Sequence, residues 1–411
     1  DAEVMAIYSD GDSLYLGGDF KNIAGKELPH TAKLDTKTGN TSSWRTNPDW
    51  AIECFFKTGN HILMGGEFKM LHREERLNAC AFDLATGELT PWEPNADFLG
   101  VTILKVDQDR DAVYMAGFDS KNSRHFKAFD TDKGDELPGW NLVFNGEVLD
   151  LDQDKNSGII YIAGDFTTIN SQPHSKIAGI QPNGNLISLN TSIDNRISLL
   201  EFSEDHNLLY LFGLFTTINN QNRHNLAALN PSGQLQTWYP RIDSLSGFYG
   251  VFDLLPTPDR IYLAGRWTFL NDTDQLHFAA VDPMTGAVLD FDPELTTNSI
   301  NKVVPAGEGL FIQGDFLTKV GNTEVKRLAY IDARVGTSLI DIPEYHLGSF
   351  MAFHWYADSI LFAGGTFNFI LSKFNAYITG FVFDLDNIEL PSPPDGGTVT
   401  SIEADVHSPL H

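Results

Sequence analysis

The sequence predicts an all-β protein, an eight-bladed β-propeller of four-stranded antiparallel blades. The first reason is a seven-residue phrase that returns eight times. It reads LYLGGDF at Leu14–Phe20, ILMGGEF at Ile62–Phe68, VYMAGFD at Val113–Asp119 and IYIAGDF at Ile160–Phe166. It continues as LYLFGLF at Leu209–Phe215, IYLAGRW at Ile261–Trp267, LFIQGDF at Leu310–Phe316 and LFAGGTF at Leu361–Phe367. The second reason is spacing. The shared glycines (Gly18, Gly66, Gly117, Gly164, Gly213, Gly265, Gly314 and Gly365) recur about every 50 residues, a period typical of repeat architectures. The third is local pattern: β-branched and aromatic residues alternate between Gly, Asp and Asn turns, and no ten-residue stretch has a helical period.

Each unit divides into four strands, a to d. In the first unit a is Val4–Tyr8, an Asp10–Ser13 turn follows, and b is Leu14–Phe20. The loop Lys21–Pro29 leads to c at His30–Asp35, and after Thr36–Gly39 strand d ends at Trp44. The a–b turns recur at Thr58–Asn60, Asp154–Gly158, Pro258-Asp259 and Gly307–Gly309, and the c–d turns at Asp83–Gly87, Pro182–Gly184, Pro231–Gly233 and Asp282–Gly286. Gly and Asn supply the positive φ that tight turns need. The b–c loop is about ten residues long in most units and shrinks to Ser120–Arg124 in the third.

Blades packed sheet on sheet explain the shared glycine as room for the neighbour. The aromatic after it (Phe20, Phe68, Phe166, Phe215, Trp267, Phe316, Phe367) and the d-strand tryptophans Trp44, Trp92, Trp140 and Trp238 are expected in the seams. The domain division is residues 1–390 for the propeller and 391–411 for a Pro/Gly linker. Within the latter, Thr398–Val406 alternates like one more strand, which would be an outer strand of the last blade, the start of another domain or a disordered tail. Cys54 and Cys80 lie on strands a and c of one unit, about 9.6 Å apart across strand b, which is beyond disulfide reach.

With 55 acidic against 28 basic residues, the net charge of −27 argues against nucleic acid or an anionic membrane as partner. No apolar run is long enough to span a bilayer, so membrane insertion is not expected. An acidic surface suits a secreted or cell-surface protein, and either a removed leader or a trimmed chain would explain an opening on Asp1. Three Asn-x-Ser/Thr triplets, at Asn40, Asn190 and Asn271, are close to chance frequency.

Four constellations carry candidate chemistry. An acid after the shared glycine (Asp19, Glu67, Asp165, Asp315) is followed eleven or twelve residues later by His30, Asn78, Lys176 or Arg327. These should meet as cross-strand clamps at the neck of the b–c loop rather than as a catalytic pair. Acidic hairpins offer oxygens at alternate positions: Asp152, Asp154 and Asn156 in one, Asp107, Asp109 and Asp111 in another. Calcium is the cation such oxygens would take, although neither hairpin fits the EF-hand pattern. The d–a connections carry Asn47, Asp49, Asn95, Asp97, Asn145, Asp194, Asn195, Asp243 and Asn298, a polar rim suited to a protein or glycan ligand. The motifs of serine hydrolases, zinc proteases, phosphate loops and dinucleotide folds are absent, and no catalytic residue is assigned.

The phrase LYLGGDF, the hydrophobic–Asp–x–x–Thr/Ser–Gly turn and the following Trp resemble the delta-60 class of bacterial propeller repeats. They also resemble the repeats of fungal cortical marker propellers. The likeness covers Val4 to about Asp386 and implies architecture, with no catalytic residue to carry over. Ala81–Trp92 is similar to the tryptophan-docking motif of eight-bladed quinoprotein dehydrogenases and of outer-membrane assembly propellers. It has four residues where that motif has three between Gly and Trp, and the adjacent cysteine pair of those enzymes is missing. The expected function is therefore a binding module with its ligand on the face made by the d–a and b–c loops. An enzyme sited in the channel, glycan-active or quinoprotein-like, is the alternative.

Overall fold

The computed structural model describes residues 4–23, 25–94, 98–243, 250–314, 316–340, 345–346, 350–356, 360–365, 369–370 and 378–382. The chain is all-β: among the described residues the one helical element is a single 3-10 turn, Gln108–Arg110. An antiparallel a–b–c sheet recurs from unit to unit. Its a strands are Val4–Asp10, Ile52–Thr58, Gly100–Asp107, Val148–Gln153, Ile197–Ser203, Gly250–Pro256, Lys302–Ala306 and Phe350–Tyr356. In unit 4, strand b (Ile160–Gly164) lies between that a strand and c (Ile177–Ile180), and Leu186–Ile187 pairs outside c.

The fourth strand is short. It pairs as Leu186–Ile187 and Ser338–Ile340, but elsewhere shrinks to single bridges such as Leu34 to Thr41, Phe82 to Leu89 and Leu229 to Leu235. The sequence just before the tryptophans explains this. Thr90 accepts the Trp92 amide on its hydroxyl and Ser42 accepts that of Trp44, so the backbone folds onto a side chain and leaves the ladder.

Strand b is buried on both faces, which is why it reads as an unbroken apolar run. Ile160 and Ile162 join a core shared with unit 3, whereas Tyr161 and Ala163 join one shared with unit 5. The period of two in a strand sends successive side chains to opposite neighbours. The seam aromatics stand as expected for Phe20, Phe68, Phe166, Phe215 and Trp267, all fully buried. Trp92 and Trp238 donate their indole N–H to the Asp130 and Asp282 carbonyls of the next unit, at 2.8 and 3.1 Å.

Two expectations are corrected. Phe316 is 61% exposed, and the fully buried Leu317 takes its seam position, because unit 7 carries one extra residue after its shared glycine. The shared glycine also has a different cause. A Cβ on Gly164 would collide with the carbonyl oxygen of Glu147, one on Gly213 with that of Arg196 and one on Gly66 with that of Ala51. The close neighbour is thus the backbone entering strand a of the same unit, not the next sheet. Phe367, Asp315 and the segment 391–411 lie outside the described residues. Cys54 and Cys80 are free thiols on the two strands flanking His61–Gly66.

Consecutive a strands lie side by side except those of units 3 and 4, and Val4–Asp10 also lies against Phe350–Tyr356, so the first unit meets the last. Between them is a central cavity of about 350 Å³, lined from Tyr8 through Glu53, Thr102, Leu149 and Ser198 to Lys302.

Candidate functional site at the channel mouth

Three of the rim residues singled out in the sequence, Asp49, Asn145 and Asp194, hold the loops together. Asp49 Oδ1 accepts the amides of Lys69 and Met70 at 2.8 and 3.0 Å. Asn145 Oδ1 does the same for Thr167 and Thr168, and Asp194 Oδ1 for Thr216 and Thr217. In each unit the acceptor sits on the d–a connection and the amides just after the buried Phe of the b–c loop. That loop is a two-residue β-hairpin, Thr168–Ile169 with Gln172–Pro173 in unit 4. Its turn residues Asn170 and Ser171 have φ of 48° and 62°, the double positive value of a type I′ turn. Asn170 reciprocates by accepting the Val143 amide. Asn195 accepts the amide of Arg196, and Asn47 and Asn298 are exposed. Asp243 pairs through its backbone with Phe269, while Asn95 and Asp97 lie outside the described residues.

Partial burial alone would raise the Asp194 pKa, but hydrogen bonds from Thr216 and Thr217 bring it down to about 2. This carboxylate stays charged in order to hold amides. The carboxylate clamps behave unevenly. Lys176 Nζ meets Asp165 Oδ1 at 2.9 Å, and His30 lies 3.7 Å from Asp19. Asn78 instead turns to the next unit and donates to the Phe98 carbonyl. What His30, Asn78, Lys176, Asn225, His277 and Arg327 share is a φ of 63° to 67°. Their carbonyls accept the amide of the shared glycine, so the repeated feature is a left-handed backbone residue that opens strand c.

A feature missed in the sequence lies on strand a. In seven of the described a strands the pairing with b slips by one residue near the start, leaving Met5, Glu53, Thr102, Leu149, Ser198, Phe252 or Met351 as the extra residue of a β-bulge. A bulge re-aims a side chain that strict alternation would bury. Four of these residues, Glu53, Thr102, Leu149 and Ser198, line the central cavity. The sequence signal was a three-residue apolar spacing: Ile52/Phe55, Val101/Leu104, Val148/Leu151 and Ile197/Leu200 are the buried pairs that bracket each bulge. The side chains so presented differ chemically around the ring.

Unit 3 breaks the rim. Its b–c connection has no hairpin, and Asp119 instead accepts the Lys121 and Ser123 amides in a tight loop. Strand c therefore begins early, at Arg124, and His125 lies in register with Gly117. The missing hairpin leaves a notch of about 300 Å³ that shares Thr102, Leu149 and Ser198 with the central cavity. Arg124, Arg196, Glu147 and His125 complete its walls.

A family model described as a domain of unknown function (DUF5122) beta-propeller matches residues 156–186, which contain strand b, the rim hairpin and strand c of unit 4. The fold is a β-propeller. Among solved structures, the computationally designed Ika8 protein is 14% identical, with 93% of this chain and 96% of that chain covered at a TM-score of 0.60. The dihydro-heme d1 dehydrogenase NirN in complex with DHE is 9% identical, with 93% and 74% covered and a TM-score of 0.53. Prolyl endopeptidase is 13% identical, with 82% and 50% covered and a TM-score of 0.50. At such identities these likenesses speak to fold alone. Among curated proteins, none matches the sequence.

On the opposite face of the propeller, the acidic hairpins have their oxygens engaged. Asp152 Oδ1 binds Lys105 Nζ at 2.8 Å and its Oδ2 accepts the Phe202 amide. Asp107 accepts the amides of Asp109 and Arg110 together with the Arg110 and Gln153 side chains. Asp154 closes its own turn on Asn156 and Ser157, and Asn156 donates to Glu204. Asp109 and Asp111 are exposed. Among the described residues no cluster of three or more His, Cys, Asp or Glu side chains is arranged to hold a metal ion. Asp253 also links blades, accepting the Lys302 ammonium and the Val303 amide, both of the next unit. These carboxylates staple inner strand to inner strand. Among the described residues Glu53 has no such partner: burial first, and then the charge of Glu67, push its pKa up to about 7.

Proposed function

We propose that the chain is a secreted or cell-surface interaction module: an eight-bladed propeller, closed by its first and last blades, that seats a ligand at the channel mouth on the d–a and b–c face. The observation that carries this reading is the bulge ring. One backbone device recurs from blade to blade, yet it presents Glu, Thr, Leu and Ser to one cavity. Where backbone repeats and side chain varies, the variation is free to follow a ligand. Asp49, Asn145 and Asp194 hold the hairpins that frame this mouth with their side-chain oxygens.

The test is to screen the full chain on protein and glycan arrays and repeat the screen with Thr102→Trp and Ser198→Trp, which fill the mouth. Loss of the captured ligand with both variants, at unchanged melting temperature, is expected. A ligand that binds both variants as well as the parent would move the site elsewhere. A channel-sited glycan-active enzyme is the second reading, favoured by Glu53, a carboxyl held near neutrality in the cavity wall. It predicts turnover of a glycan panel that Glu53→Gln abolishes.

A further inference from the structure

We infer that the notch over unit 3 recognises a small hydroxylated carboxylate, a sugar acid of the uronate class. The inference rests on the channel mouth being the ligand site. The chain as a whole carries a charge of −27, yet this notch presents two arginines against one glutamate. Arg124 is already committed: its Nη2 lies 2.9 Å from Glu147 Oε1 and its guanidinium stands 5.0 Å over the Phe118 ring. Arg196 is not. Its backbone is fixed on both sides, the amide by Asn195 Oδ1 and the carbonyl by the Leu214 amide. Its exposed guanidinium has no ion-pair partner among the described residues. A planar fork on a fixed backbone suits a carboxylate, which it can bind through two parallel hydrogen bonds.

The remaining walls point to hydroxyls. The Ser198 hydroxyl carries no hydrogen bond among the described residues. Thr102 donates to the Ala116 carbonyl and keeps its acceptor capacity. Glu147 Oε2 is a further acceptor at the edge. Ile103, Val148 and Leu149 supply an apolar floor. A volume of about 300 Å³ lies at the small end of ligand pockets and suits a single ring-sized molecule.

The test is calorimetric titration of the full chain with D-glucuronate, D-glucose, acetate and inorganic phosphate, each against the parent, Arg196→Ala and Arg196→Lys. Glucuronate should bind the parent about tenfold or more tighter than glucose, the scale of one charged hydrogen-bonded contact. Arg196→Ala should lose that advantage while melting as the parent does, and Arg196→Lys should keep part of it. Equal binding of glucose and glucuronate overturns the carboxylate. Acetate or phosphate binding as tightly as glucuronate overturns the sugar acid, and absence of glucuronate binding overturns both. A neutral array ligand that Ser198→Trp abolishes and Arg196→Ala spares would sink this inference and leave the proposed function standing.

Discussion

Units 3 and 4 are neighbours built from the same a–b–c sheet, and they differ in one loop. In unit 4 the chain leaves strand b through a type I′ hairpin, is clamped by Asn145, and re-enters through the left-handed Lys176. Strand c is then four residues long, Ile177–Ile180. In unit 3 the left-handed residue, Asn122, stays inside the short loop two residues before strand c, which runs seven residues, Arg124–Asp130, and pairs with Leu142–Phe144 along the freed edge. The hairpin is therefore an ornament that limits strand c and covers the mouth. Its removal lengthens the sheet and opens the notch, with little demand on the core below. A repeat can acquire a site by losing a part.

If the outer clamp is dispensable in unit 3, the inner staple must hold it. Lys105 of unit 3 reaches Asp152 of unit 4, both largely buried, and Asp152 also holds the Phe202 amide of unit 5. Asp152→Ala strands a buried ammonium and should cost about 3–5 kcal/mol in urea unfolding, the largest effect expected here. A loss under about 1 kcal/mol would show that the staple contributes little.

The clamp in the hairpin-bearing units should matter less. Asp194→Ala removes hydrogen bonds to the amides of Thr216 and Thr217 and should destabilise by about 1–2 kcal/mol. The sign with pH follows from a folded pKa lowered to about 2. The contribution is fully present above the ordinary carboxylate range and is lost as pH falls through about 2. Parent and variant should therefore converge in acid, and a gap that persists there would contradict the assignment.

The strand-c entry separates the two units by sign. Lys176 sits at φ 67°, where glycine is unstrained, so Lys176→Gly should be neutral or slightly stabilising once the exposed ion pair with Asp165 is allowed for. His125 is extended and in the ladder, so His125→Gly should destabilise by about 1 kcal/mol or more. Equal effects would erase the distinction drawn between the units. The smallest effect concerns the bulge of unit 2. Glu53 has a folded pKa raised to about 7, so the folded state binds the extra proton and stability declines as pH rises through that value. Glu53→Gln should melt slightly above the parent at pH 8 and level with it at pH 4, whereas Thr102→Val, at the same position of unit 3, should show no such pH dependence.

The repeats, the strand order, the seam tryptophans and the short third loop were all legible, because each is written as a residue type at a fixed interval. Phe316 shows the limit of reading by type. Phe20 to Trp267 follow their glycines by two residues and are buried, but in unit 7 the buried residue follows by three and is Leu317. The interval from Gly314 to Arg327, one longer than that from Gly164 to Lys176, carried this information. Asp49, Asn145 and Asp194 were legible as polar rim residues but their hold on the hairpin amides was not, since an oxygen that binds amides and one that binds a ligand have the same sequence signature. Nothing in the amino acids at Thr102 or Ser198 marks them as cavity residues. The bulge does, and its trace is a broken alternation that is easily taken for irregularity.

The bulge also bears on how such a mouth could be rewritten. Each extra residue stands outside the pairing of its strand, so exchanging its side chain leaves the hydrogen-bond ladder on either side intact. Met5, Glu53, Thr102, Leu149, Ser198 and Phe252 then form an alphabet with one letter contributed by each of the first six units. Duplicated units can drift apart in that letter alone while keeping a common frame. A library varied only at the four that line the cavity, Glu53, Thr102, Leu149 and Ser198, would search ligand space with the scaffold held constant.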